Sequence, residues 1–300
     1  MSAPLPSLDS LRCFAEAARL LNFRAAARAV GITPAALGQR IRQLEDQIGE
    51  QLFHRTTRSV VLTEAGLALV PYADRALSSA AECLRAGRGD LGPAPLELVI
   101  GTRHELGLSW LVPMLPRLRQ DNPGLTCHLY FGSGADLTLR VRTLEIDCAV
   151  TSSRLTDPKL DSIKLHREDY VFVGQPKLLR RNPFETAEHA SSHTLLDVTE
   201  ELPLFRYWRD APGGVDSMEF AQVLRVGTIA AIRELALRGE GVAVLPEYFV
   251  KQDIVAKRLR RIMTSVEPLS DHFRLVFRTD DPHRASYTSV AATMLAVPLR

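Results

Sequence analysis

Up to Gly87 the apolar positions of the chain recur with a helical period; beyond Pro95 short apolar runs take turns with helical stretches. Leu8, Leu11, Phe14 or Ala15, and Ala18 predict a helix over 8–20, with Ser7 as its cap. Phe23, Ala26, Ala27 and Val30 form a second, short stripe whose small residues let a crossing helix come close. Next comes GITPAALGQRIRQLEDQIG, 31–49. Gly31 suits the φ > 0 position just past a helix, Thr33 is a cap, and Pro34 takes the first helical position, where an N–H is dispensable. Leu37, Ile41, Leu44 and Ile48 then face a core. Two short helices joined by a tight turn make a helix-turn-helix, whose second helix is built to enter a major groove.

Leu52-Phe53 and Val60-Val61-Leu62 flank the polar run Arg55-Thr56-Thr57-Arg58-Ser59, which predicts a β-hairpin wing with arginines at its tip. Thr63 caps a long helix from about 64 to 84 that carries Leu67, Val70, Ala73, Leu77, Ala81 and Leu84. GRGDLGPAP, 87–95, ends it in a glycine- and proline-rich linker. A long helix between two domains has little of its own domain to pack on, so the stripe predicts self-association. Two-fold symmetry would place two recognition helices on successive turns of DNA.

Beyond the linker LELVIG, TCHLYFGSG, IDCAV, YVFVGQP, TLLDV and HFRLVFR read as strands. SWLVPMLPRLRQDNPG, ADLTLRVRTLE and ASYTSVAATMLAV read as helices, and VGTIAAIRELALRGEGVAVLP as a loop-helix-strand unit. The succession predicts a parallel sheet with covering helices. Ligands of such sheets sit beyond the carboxyl ends of the strands. That places Thr102, Arg103, Ser133, Thr151 and Ser152 at a pocket, with Thr199 and Thr228 facing them. Arg103 and the N–H groups of the helix after it would favour an anion. Glu105 leaves two readings open: it pairs with Arg103, or it receives the amine of a zwitterionic ligand such as an amino acid. An uncharged or aromatic ligand is the alternative to both.

Composition sharpens the first third most. The net charge is only +2, but Arg19, Arg24, Arg28, Arg40, Arg42, Arg55 and Arg58 face just Glu45, Asp46 and Glu50 between residues 19 and 62. A local basic surface follows, of the kind that meets nucleic acid. On the exposed face of the second helix Thr33, Pro34, Ala35, Gly38, Gln39 and Arg42 are the expected DNA contacts. Gln39 is suited to a bidentate bond with adenine. Arg55 and Arg58 suit phosphate or the minor groove; Arg24 and Arg28 either join them or merely cover the exterior.

Other classes lack their chemistry. No HExxH pair, no Gly-x-Ser-x-Gly elbow and no complete dinucleotide loop occurs; GSGADL lacks its third glycine. His189 and His193 have the i, i+4 interval, but AEHASSHT has no helical apolar face. The four cysteines, Cys13, Cys83, Cys127 and Cys148, lack metal spacing, and Cys127 is expected as a buried thiol. No catalytic residue, metal or cofactor is expected. Neither a signal peptide nor an apolar run of membrane length appears, so the expected location is the cytoplasm. A stand-alone solute-binding protein would leave the residues before the linker unexplained.

FRAAARAVGITPAALGQRIRQLEDQIGEQLFHRTTRSVVLTEAG, and GVAVLPEYFV late in the chain, resemble a LysR-type transcriptional regulator. The resemblance implies an α/β protein in three parts. These are a helix-rich winged helix-turn-helix domain over 1–62, a dimerising linker helix and hinge over 63–95, and a two-lobed effector domain over 96–300. The last would resemble type 2 periplasmic binding proteins. It further implies double-stranded DNA and a small-molecule effector as partners, and a homotetramer, a dimer of dimers, that bends DNA. Many members begin the recognition helix with serine-glutamine-proline-alanine and place a serine one turn later. Here Thr33-Pro34-Ala35-Ala36 and Gly38 stand there, so the operator sequence of better-known members does not carry over.

Overall fold

The computed structural model describes residues 5–55, 59–89, 95–215 and 218–299. Helices α1 (Leu8–Leu20), α2 (Phe23–Val30) and α3 (Pro34–Ile48) are followed by strands β1 (Phe53–Arg55) and β2 (Val60–Leu62) and by the long helix α4 (Glu64–Gly87). Their starts follow the local chemistry. The hydroxyls of Ser7, Thr33 and Thr63 accept from the N–H groups of Ser10, Ala36 and Gly66 at 3.1, 3.2 and 2.9 Å. Each such cap stabilises its helix by about 1 kcal/mol. Gly31 ends α2 at φ 79°, a conformation that costs a side-chain-bearing residue energy.

These helices close over one core in which Leu11, Phe14, Ala17, Ala27, Leu37, Ile41, Leu44 and Phe53 are buried. Phe53 of the wing packs edge-on to Phe23 at 5.2 Å and tilted to Phe14 at 5.6 Å. Two of the expected core positions lie elsewhere. Leu8 is 49% and Ile48 38% exposed, because each sits at the far end of its stripe where no neighbouring helix reaches. The long helix also differs from expectation. Val70, Ala73 and Leu77 pack on the helix-turn-helix core, while Tyr72 and Leu84 stay 57% and 63% exposed.

The rest of the chain forms two lobes. In the first, β3 (Leu96–Thr102) leads through α5 (His104–Leu106), a π-helical turn over Gly107–Leu111 and α6 (Val112–Asp121) to β4 (Leu125–Phe131). Helix α7 (Gly134–Arg142), β5 (Cys148–Thr151) and the long β6 (Leu160–Glu168) complete its outward run. The second lobe holds β7 (Tyr170–Gly174), α8 (Pro176–Arg181), β8 (Thr194–Asp197), α9 (Arg206–Arg209), β9 (Gln222–Arg225), α10 (Ile229–Arg238), β10 (Val242–Pro246), α11 (Glu247–Val255) and β11 (Arg260–Arg261). The chain then returns through β12 (Asp271–Arg278) to the first lobe and ends in α12 (Arg284–Ala296).

Each lobe is built on five strands, in the orders β4-β3-β5-β12-β6 and β11-β7-β10-β8-β9. The expectation of a parallel sheet is therefore corrected. Strands β4, β3 and β5 are parallel, but β12 re-enters from the other lobe and runs antiparallel to β5 and β6. Likewise β7 is antiparallel to β10, whereas β10, β8 and β9 are parallel. The chain crosses between lobes at Asp169 and again before Asp271, and these crossings form the floor of the cleft between them.

A joint links the two halves of the molecule. Leu144 of the first lobe packs on the helix-turn-helix core. Asp74 of α4 is partly buried there and feels the charges of His283, Asp281, Asp147 and Glu16. Burial is the largest influence and pushes its carboxyl up to about 6.

Candidate DNA-reading face and inter-lobe cleft

Thr33, Pro34, Ala35, Gln39 and Arg42 are all exposed on α3, on the side away from Leu37, Ile41 and Leu44. Thr33 already spends its hydroxyl on the cap, so the long polar groups of this face include Gln39, Arg42 and the neighbouring Gln43. Gly38, expected on the exposed face, is corrected to a buried position on the helix. A Cβ added there would nonetheless meet nothing within 4 Å, which leaves a shallow notch beside Gln39. Arg24 and Arg28 are exposed on α2.

Arg55 has a structural engagement that its place in the sequence did not suggest. Its Nη2 donates to Glu45 Oε2 at 2.7 Å and its guanidinium lies 4.8 Å from the Phe23 ring centre. Glu45 Oε1 also accepts from the Leu52 N–H at 3.0 Å, so one carboxylate ties the wing to α3. Arg55 thus positions the wing and keeps 30% of its side chain exposed. Arg58 lies outside the described residues.

The second site is a cleft of about 1160 Å³ between the lobes. Arg103, Glu105, Ser133, Ser152 and Thr228 line it, as their places at strand ends and helix starts suggest. Thr102 and Thr151 do not, which corrects that expectation. Both are buried, at 0% and 1% exposure, because the sheet is covered on both faces: Thr102 lies on the side of Ile100 and Val150, and Thr151 on the side of Ala149. Thr151 is held there by Ser153 at 3.1 Å. Thr199 is exposed outside the cleft and donates to Glu201 at 2.6 Å.

Cleft residues without a motif were not legible beforehand. His104 stacks on Phe131, with ring centres 5.1 Å apart, and Tyr170 stacks on Tyr207 at 3.7 Å. Leu108, Leu204, Ile229 and Leu269 add apolar wall, while Arg154, Arg206, Asp210 and Asp271 bring charge of both signs. Gly107 allows α5 to lie close to this wall: a Cβ would stand 2.4 Å from Phe131 and 2.6 Å from Thr102.

Arg103 pairs with Glu168, not Glu105. Its Nη2 donates to Glu168 Oε1 at 2.7 Å, and its guanidinium lies 5.4 Å from the Phe273 ring centre. Glu168 is wholly buried, and Arg103 is one-quarter exposed. Burial by itself lowers the pKa of Arg103, but Glu168, Tyr248 and Tyr170 outweigh it and hold the guanidinium charged. Its positive charge is therefore largely spent inside the protein. Glu105 instead reaches across the cleft: Oε1 accepts from the N–H of Ala230 at 3.3 Å. Thr228 caps the same helix by accepting from Ala231 at 3.2 Å.

The other candidate chemistries have ordinary partners. His189 Nδ1 accepts from the N–H groups of Glu185 and Thr186, each at 3.2 Å, and His193 lies 3.4 Å from the Pro183 carbonyl. No group of metal-binding side chains occurs among the described residues. Burial raises the thiol pKa values of Cys13, Cys127 and Cys148; Cys127 is half-buried and not fully enclosed. No helix among the described residues is long and apolar enough to cross a membrane.

Comparison with known proteins finds the lysR-family bacterial regulatory helix-turn-helix over residues 8–67 and the LysR substrate binding domain over residues 93–297. The glycine cleavage system transcriptional activator of Escherichia coli (strain K12) is 30% identical over 260 residues, covering 86% of this chain and 83% of that one. ArgP from Mycobacterium tuberculosis is similar in fold, with a TM-score of 0.74 and 20% identity over 98% of this chain and 99% of that chain. Full-length LysG from Corynebacterium glutamicum, solved with bound effector Arg, gives a TM-score of 0.69 at 22% identity over 98% of each chain.

Proposed function

The chain belongs to the LysR family of DNA-binding transcriptional regulators, and from that premise we propose how its residues divide the work. Regulators of this family bind DNA and small-molecule effectors, form oligomers and are not enzymes. In this chain Gln39 reads a base, and Arg42 together with the wing arginines holds phosphates. The distal part of α4, where Leu84 is exposed, joins two chains, and two dimers bridge neighbouring DNA sites in the cytoplasm. An anionic or zwitterionic effector enters the cleft between the lobes. Its tighter binding to one lobe arrangement shifts the placement of the paired DNA-binding domains, and with it the bend of the DNA. The observation that carries this reading is the presence, in one chain, of an exposed polar recognition helix and a separate cleft lined by charges of both signs.

Selection of bound genomic fragments by the purified protein, with and without pools of small acids and amino acids, tests it. Enrichment of fragments sharing a two-fold motif, altered by one pool, is the expected result. Binding that ignores sequence, or that no small molecule alters, would overturn it.

A further inference from the structure

We propose that Glu105 is an internal occupant of the cleft: it latches the two lobes together in the effector-free chain and restricts effectors to molecules carrying both a carboxylate and an ammonium group. The inference rests on the cleft being the effector site. Glu105 belongs to the first lobe, on the short helix after β3, and Ala230 belongs to the first turn of α10 in the second. Their 3.3 Å hydrogen bond joins the two lobes across the cleft that both residues line. A carboxylate at a helix beginning meets N–H groups with no partner inside the helix and the positive end of the helix dipole. The α10 beginning is thus an anion seat, and the protein's own side chain sits in it.

Two consequences follow for a ligand. Its carboxylate finds little free positive charge at Arg103, because the buried Glu168 already holds that guanidinium at 2.7 Å. Arg206 already faces Asp210 at 3.5 Å, which leaves Arg154 and the α10 seat to meet a carboxylate. In the proposed exchange it takes the α10 seat, where it displaces Glu105. The displaced carboxylate remains in the same cleft beside a second negative charge. A plain carboxylate leaves the two anions facing each other, whereas a zwitterion brings an ammonium group that pairs with Glu105. The lobe-to-lobe bond made by one side chain is then replaced by a bridge through the ligand, α10–carboxylate and ammonium–Glu105. That exchange couples occupancy to the lobe arrangement. Leu108, Leu204, Ile229 and Leu269 leave apolar wall for the ligand's side chain.

The test uses the full chain and two measurements. Without ligand, hydrogen exchange of the Ala230 amide should be faster in Glu105→Ala than in the parent protein. An unchanged rate would overturn the latch. With ligand, the twenty protein amino acids and their desamino carboxylates are titrated against the parent and against Glu105→Gln. The parent should bind at least one amino acid about tenfold or more tighter than its desamino analogue, the worth of one charge-assisted hydrogen bond. Glu105→Gln should lose that preference by weakening the amino acid while holding the plain carboxylate as well or better. Equal binding of the two classes by the parent, binding of neither, or an equal loss of both in Glu105→Gln would overturn the proposal. The effector reading itself fails differently: a compound that alters operator binding would keep its affinity when the cleft is obstructed by Leu108→Trp.

Discussion

At Gln39 and Arg42 two long polar side chains share one exposed helix face but offer different chemistry. The Gln39 amide has a donor and an acceptor for a base edge, while Arg42 brings charge. Gln39→Ala should cost about 1–3 kcal/mol on the preferred operator and little on scrambled DNA. Arg42→Ala should weaken both alike and flatten the salt dependence by about one unit. Titrations at several salt concentrations separate the two. Equal losses on both DNAs for Gln39→Ala would remove it from base contact. Arg103 makes a different residue-scale case. Removing it leaves Glu168 charged and unpaired in a fully buried site, so Arg103→Ala should cost about 3–5 kcal/mol in denaturant unfolding. Adding Glu168→Gln should restore much of that loss, and failure of the double variant to recover would mean that Arg103 acts through packing alone.

Helix α4 is divided along its length. Val70, Ala73 and Leu77 serve the core of their own domain, and the apolar surface left for a partner is that of Tyr72 and Leu84. Leu77→Asp would therefore damage folding and association together. Leu84→Asp is the cleaner probe, because Leu84 is 63% exposed in the single chain. It should leave the melting temperature of the DNA-binding domain unchanged and shift the dimer towards monomer in light scattering, since pairing would bury an unmatched carboxylate. Operator affinity should fall with it. An unchanged oligomer would place the self-association surface elsewhere.

Across the whole molecule the joint around Asp74 makes stability depend on pH. The Asp74 carboxyl stands at about 6 against an ordinary 3.8, chiefly through burial, so ionising it disfavours the folded chain. That penalty is absent below the ordinary value, grows between the two and is complete above about 6. His283 acts in the same direction: its bond to Asp281 raises its pKa, and the stability this contributes is lost as pH rises through the raised value. Asp74→Asn cannot ionise. Its melting temperature should exceed that of the parent at pH 8, with the gain shrinking steadily towards pH 4. A gain independent of pH would show that Asp74 is not the titrating group.

Some of this was settled within a few residues of chain. Ser7, Thr33 and Thr63 cap helices, and Gly31 ends one, because those choices are made inside a single turn by the residue's own chemistry. The helix-turn-helix and the exposure of Gln39 and Arg42 follow from period, and the wing strands from a polar run between two short apolar pieces, so all could be read from sequence. The long strand Leu160–Glu168 could not, since its mixed burial carries no alternation. Nor could the direction of Asp271–Arg278, which depends on the chain returning from another lobe. In the cleft, strand ends pointed to Arg103, Glu105, Ser133, Ser152 and Thr228, but not to the inward turn of Thr102 and Thr151. The partners of Arg103 and Glu105 lie 65 and 125 residues away. Pairings at such separations are chosen by how the sheets and lobes pack. The sequence by itself therefore determined that Arg103 and Glu105 reach the cleft, and only the tertiary structure decided which charges join them there and which of the two are already spoken for.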